Sequence, residues 1–417
     1  TNKFFGYKGA TILRGGKLNL STTDISKGGI GSSSKLVMAG GELKTKGEPN
    51  GYETYSFPIE VKEGTTSQFS PNRFCYMKNK VTGSGNLQLN IPYMREYLQG
   101  NYAEFTGRLI ANGVSSEKDG SLLLFSSGSV TMPNAVIEAT GNTRLASWET
   151  NSNLKIGGLS GTSKTYLSGS SKKTKGFTCT WTVGSANTNE TFAGKINNWA
   201  AGGSGYQGTV SITKTGTGYW RLTGNNDYKG ITKVLKGNLI VNGTNSGTGA
   251  VNVMEDAILS GKGSIAGLVR IYEGGKLQAG DVEEGANGAR LTLKGNLEVR
   301  TGGVVSLLAD GSSYNTITAG SVTLEDGAVI QIGEEIDALC FVDAETIPVF
   351  SAGVKVNGKL QMIPETPGDG QTWDLSKLAT EGVVKVVGNP TSIKGVLAGK
   401  DIKKIECFDM SGNSRRG

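Results

Sequence analysis

The chain has 417 residues, 64 of them Gly and 9 Pro, with 43 Lys+Arg against 36 Asp+Glu, a formal charge of +7 and no histidine. Glycine at roughly twice average usage, with little proline and mixed with Val, Ile, Leu and Thr, excludes collagen-like and disordered chains and describes short strands joined by tight corners. The missing histidine removes Ser-His-Asp and Cys-His nucleophiles, histidine acid–base catalysis and most zinc sites.

Along the chain a phrase recurs: an apolar residue, a glycine-rich corner, then a Leu or Ile opening a strand. It reads LRGGKL at 13–18, VMAGGEL at 37–43, LKGNLIV at 235–241, MEDAIL at 254–259, YEGGKL at 272–277, LKGNLEV at 293–299 and LEDGAVI at 324–330. Leu235 to Met254 is 19 residues, Met254 to Tyr272 is 18 and Tyr272 to Leu293 is 21. A period of about 20 is too short for a pair of helices and fits one turn of a β-solenoid. Between the corners, stretches such as Asn86-Leu87-Gln88-Leu89-Asn90 and Thr209-Val210-Ser211-Ile212-Thr213 alternate polar and apolar residues, the mark of strands with one buried face. The expected fold is therefore all-β, a right-handed parallel β-helix of about 18–21 residues per coil.

Four zones divide it. Residues 1–205 are an irregular N-terminal part of the β-helix, with aromatic-rich insertions at Tyr52–Phe57, Phe69–Tyr76 and Tyr93–Phe105. Residues 206–333 carry the regular repeats, 334–400 form a C-terminal cap, and 401–417 stand apart. A cap is a physical requirement, because a bare core slab and open strand edges invite aggregation. Pro92–Leu98 and Leu375–Thr380 read as decorated loops or single helical turns. Cys75, Cys179, Cys340 and Cys407 are too widely spaced for a metal motif and read as isolated buried thiols. No apolar run approaches the ~18 residues of a membrane-spanning helix, and no signal-peptide pattern is seen. Because Thr1 opens directly into a strand pattern, the chain is expected to be an internal fragment of a longer protein. Its basic residues are interspersed with acidic ones, so nucleic acid is not an expected partner.

The stretch from Gly205 to Gly243, GYQGTVSITKTGTGYWRLTGNNDYKGITKVLKGNLIVNG, resembles the autotransporter-associated β-strand repeat. The match lies in Lys214, Gly216, Gly218, Leu222, Gly224, Asn225, Tyr228, Gly230 and Leu239–Val241. Upstream, TWTVGSANTNETFAGKI at 180–196 looks like the segment that precedes this repeat. The resemblance covers about 180–333 and implies a secreted or outer-surface β-helix. Near the end, Ile402–Asn413 is similar to the start of the C-terminal sorting segment of type IX secretion in Bacteroidota, which implies export to the outer surface or medium.

Two clusters are candidate sites. Trp181, Trp199, Tyr206, Tyr219 and Trp220 gather within 40 residues and supply rings of the kind that stack on sugars, with core filling as the alternative. Asp281, Glu283 and Glu284 form a small acidic group suited to Ca²⁺, with a solvated loop as the alternative. No other cofactor is expected, and no catalytic residue stands out. The Asn225-Asn226-Asp227 run lacks the glycine and distal glutamate of an EF-hand and reads as an Asx-stabilised turn. The reading is a non-catalytic surface or secreted stalk, adhesin or glycan-contacting module, whose partner is a polysaccharide or host or cell-surface glycan. The alternative is a carbohydrate-active β-helix enzyme, a polysaccharide lyase or glycoside hydrolase, or the accessory region of one.

Overall fold

A computed structural model describes residues 9–21, 35–46, 53–116, 120–126, 131–170, 175–198, 207–281, 283, 288–308, 314–333, 341, 343–389, 407–408 and 414–415. The chain forms a parallel β-helix, divided into two compact units, Thr1–Thr232 and Lys233–Gly417. Each strand pairs in parallel with strands one coil earlier and one coil later. The ladders therefore run on as a stack and never close into a barrel.

In the first unit each early coil contributes one strand to each of three sheets. Leu36–Met38, Ile59–Val61 and Val81–Gly83 belong to the first sheet. Glu42–Lys46, Thr66–Ser70, Asn86–Ile91 and Arg108–Gly113 belong to the second. Glu53–Tyr55, Cys75–Met77, Met94–Leu98, Ser121–Phe125 and Thr143–Ser147 belong to the third. The alternation read from the sequence is realised directly: in Asn86–Ile91 every second side chain is buried. Inward residues stack on their counterparts, as in Leu36–Ile59–Val81 and Leu87–Leu109–Ile137. Burial of each such aliphatic side chain stabilises by about 1.5–3 kcal/mol. Met94–Leu98, read from the sequence as a loop or helical turn, is a strand. Rung pairing to neighbours on both sides overrode its local pattern.

The second unit stacks a column of Leu239, Leu259, Leu277, Val305, Ile330 and Met362. The period expected from the sequence holds for two rungs here: Gly237 pairs with Ala257, 20 residues on, and Ile258 with Lys276, 18 on. Elsewhere the coils are longer. Lys276 pairs with Val304, 28 residues on, and Val329 with Gln361, 32 on. The phrase LKGNLEV misleads for a definite reason. Arg290–Val299 is one long strand whose halves pair with Ser264–Ile265 and Val269–Ile271, and whose register shifts at Lys294–Gly295 in the next pairing. The phrase at 235–241 turns a corner into a strand, whereas at 293–299 the same residues bend a strand across two sides of the coil.

The parallel ladder reaches Gln361–Ile363. Thr346–Pro348, Val383–Val387 and Thr372–Asp374 form an antiparallel sheet, joined by the single turn Leu378–Glu381, which ends on Gly382 at φ 75°. Gln371 donates its amide to Phe341 O at 2.9 Å and Gly388 O at 3.0 Å, tying this sheet's ends. Cys407–Phe408 and Ser414–Arg415 pair antiparallel. The remainder of Ile402–Asn413 lies outside the described residues, as do Cys340 and the side chain of Cys407. Cys75 and Cys179 are free and buried.

The residues that carry the repeat resemblance are stacking devices. A Cβ on Gly216, at φ 72°, would overlap the carbonyl oxygen of Gly184 in the preceding coil, so only glycine lets the two corners close. In the second unit a Cβ on Gly263 would meet Gly243 O in the same way. Lys214 is 1% exposed, and its ammonium donates to Thr215 O at 2.8 Å and Gly216 O at 2.9 Å. Burial pushes its pKa down to about 8. Asn187 and Asn189 accept from the backbone N–H of Thr217 and Tyr219, each at 2.9 Å, so one coil's amides cap the next coil's open donors.

Candidate functional site

The aromatic group expected from the sequence does not assemble into a ledge. Trp181 is 0% exposed: its indole donates to Ser168 O at 2.9 Å and lies edge-on to Phe125 at 5.1 Å. Trp220 is 1% exposed and donates to Leu159 O at 2.9 Å. Both ring faces of each are taken by the core, so neither offers a surface to a sugar. Strand parity carries the reason: in Thr178–Val183, Trp181 shares its side with Cys179 and Val183, the apolar side. Tyr219 is half-buried under the Arg221 guanidinium at 4.5 Å. Trp199 and Tyr206 lie outside the described residues.

Asp281 likewise sits inside a corner, 2% exposed. One carboxylate oxygen accepts from Asn242 Nδ2 at 2.9 Å and the other from Glu283 N at 3.3 Å. Glu284 lies outside the described residues, and no cluster of three His, Cys, Asp or Glu occurs among the described residues. Asn226 serves the same kind of corner, accepting from Ile196 N at 2.8 Å.

The aromatic side chains that do reach the surface lie on the outside of the third sheet of the first unit. Tyr76 and Tyr97 pair one coil apart and stack at 4.9 Å, and Trp148 meets Tyr97 edge-on at 5.2 Å. Tyr97 rests on an apolar patch of Leu122, Leu124 and Ala146, leaving Tyr76 and Trp148 half-buried. Beside this file, Arg144 lies over the Tyr166 ring at 4.0 Å. At the corner before Tyr76, Arg73 lies over Tyr93 at 3.7 Å and faces Phe74 at 5.0 Å. This aromatic and cationic strip was present in the sequence as insertions at Phe69–Tyr76 and Tyr93–Phe105. The missed signal was the 21-residue step from Tyr76 to Tyr97, which puts equal parity on one outer face.

Directly beneath, the same strands turn ionisable groups inward. Glu96 is 0% exposed and accepts from Cys75 N at 2.9 Å, Cys75 Sγ at 3.0 Å and Phe74 N at 3.3 Å. Burial pushes its pKa up to about 7, against the pull of those three donors. The Cys75 thiol is held well above its ordinary value by burial and by Glu96, which makes it a poor nucleophile. Tyr55 donates to Glu53 and meets Thr45 Oγ1 at 2.7 Å, and burial raises its phenol. Asn72 completes the network, its N–H reaching Thr45 Oγ1 at 2.8 Å and its amide Glu53 at 3.2 Å. A thiol kept protonated beside a carboxylate, with no base to activate it, braces a corner and does no chemistry.

No protein-family model matches the chain. Over 74 residues, 18% of its length, it is 39% identical to the "Adhesin BmaC autotransporter" of Brucella suis biovar 1 (strain 1330). That stretch is 2% of the adhesin, so the chain spans a small part of this relative's length. The likeness is to an autotransporter adhesin and is local.

Proposed function

We propose that this chain is the β-helical part of a secreted or outer-surface protein with an adhesin-like, non-catalytic role, contacting glycans through the outer strip of its first unit. The observation that carries the reading is the division of labour in the third sheet. Its inward polar groups are spent on one another, while Tyr76, Trp148 and Tyr166 present rings outside. Rings on a flat β face are suited to stacking against sugars. The local similarity to an autotransporter adhesin supports the surface role. For the finer assignment, a Bacteroidota-type protein exported by type IX secretion, the support is the pattern at Ile402–Asn413.

The test is a glycan array probed with the whole chain and with Tyr76→Ala and Trp148→Ala, circular dichroism confirming the fold. Binding by the wild type that falls about tenfold in either variant supports the proposal. An array with no bound glycan removes saccharide contact and leaves a scaffold.

A further inference from the structure

Arg73 is exposed, and among the described residues no carboxylate pairs with it. That sets it apart from Arg108, which reaches Glu190 at 3.0 Å and Glu138 at 3.4 Å, and from Arg270 and Arg300, which both engage Glu298. What Arg73 has instead is two ring walls. Its guanidinium carbon stands 3.7 Å from the Tyr93 centroid and 5.0 Å from that of Phe74, and the two rings meet edge-on at 5.0 Å. Stacking on a ring face uses the guanidinium's π surface and leaves its N–H edge for a planar anion.

The corner that carries it is held from several sides. Asn72 is fixed by Thr45 and Glu53, while Phe74 N and Cys75 N both donate to Glu96. Phe74 sits at φ 62°, a conformation a side chain with a Cβ rarely adopts, and the bonds around it impose that turn. The two nearby carboxylates, Glu53 and Glu96, are both engaged by these inner donors. A guanidinium that is already oriented loses little freedom on binding, which is where a preorganised site gains affinity.

Resting on the glycan-contacting reading above, we infer that Arg73, flat on Tyr93 and walled by Phe74, receives the anionic substituent of an acidic saccharide, a carboxylate or a sulfate ester. The planar N–H fork matches either group in a bidentate contact, and the strip's rings take the sugar.

Binding of the full chain to alginate, dextran sulfate and neutral dextran tests this, with Arg73→Gln, Arg73→Lys and, as a charge control on an exposed turn, Lys164→Gln. The wild type is expected to hold one of the acidic polymers about tenfold more tightly than dextran. Preference for alginate identifies a carboxylate, and preference for dextran sulfate a sulfate. Arg73→Gln abolishes the preference, Arg73→Lys restores it in part because the charge returns without the fork, and Lys164→Gln leaves it intact. Equal loss in Lys164→Gln and Arg73→Gln would mean a plain net-charge effect and overturns the inference, as does an unchanged preference in Arg73→Gln. A wild type that binds dextran as well as the acidic polymers overturns it too, yet leaves saccharide contact standing. Binding to none of the three overturns both.

Discussion

Of the 30 aromatic residues, 24 precede Lys233 and 6 follow it. Both units are built on the same rung, with stacked aliphatic columns inside and glycine-closed corners. They differ in what surrounds the rung. The second unit holds the coils whose period is short and regular, and its corners carry Gly, Asn and Asp. The first unit lengthens its coils, places rings on the outside of its third sheet and braces them with a bonded polar network beneath. Regularity and candidate function therefore occupy different places. The repeat is most visible where the outside is plain, and it dissolves where insertions bring in side chains that reach a partner.

The sharpest way to break this contrast is to exchange an inner ring for an outer one. Trp181→Ala should cost about 4 kcal/mol through the cavity it leaves. Tyr76→Ala should cost about 1 kcal/mol or less, because its ring is already half in solvent. Urea denaturation of both variants checks the pair, and similar losses would erase the inside–outside distinction. The glycine corners test the other half, the claim of a common rung. Gly216→Val in the first unit and Gly263→Val in the second should each cost about 3 kcal/mol, from overlap with the preceding coil and, at Gly216, the positive φ as well. A tolerated valine at either site would show that the two units do not close alike.

Glu96 gives the first unit a pH dependence that the second has no counterpart for among the shifted groups. Its carboxyl titrates near 4.5 when unfolded and near 7 when folded, so the folded state binds the proton more tightly. Its contribution to stability is full below about pH 4.5, declines as pH rises through about 7 and is level above that, a change of about 2–3 kcal/mol. Glu96→Gln should flatten that part of the stability–pH curve. An unchanged slope would mean that Glu96 is ionised throughout. The smallest effect concerns the second unit. Gln278 is fully buried, and neither polar atom of its amide has a partner. Gln278→Leu should raise stability by about 1 kcal/mol, read as a higher urea midpoint, because the desolvated amide returns nothing for its burial.

The fold was legible because its signal is redundant: every coil restates it through alternation and a glycine corner. The lengths of the coils were not, since Arg290–Val299 absorbs a corner into a bent strand without changing the phrase that spells it. Lys214 and Gly216 looked like family marks and turn out to solve one local problem, the closing of a crowded corner and the pairing of its carbonyls. Trp181 and Trp220 were singled out for their chemistry when their parity already placed them inside. Arg73 could not be found that way. Its setting depends on Tyr93 from the following coil, and nothing in the spacing of residues 73 and 93 announces that a guanidinium and a ring will lie face to face.

The variable coil length has a mechanical consequence. Inter-coil hydrogen bonds in a parallel β-helix run along the stacking axis, so a pull along that axis within either unit loads them in series. The weakest rung gives first, and each yielding coil pays out its whole contour. With coils of 18 to 32 residues, that is about 60–105 Å of slack per event at ~3.3 Å per residue. Under tension such a unit lengthens in unequal steps and limits the force reaching whatever its outer face has gripped.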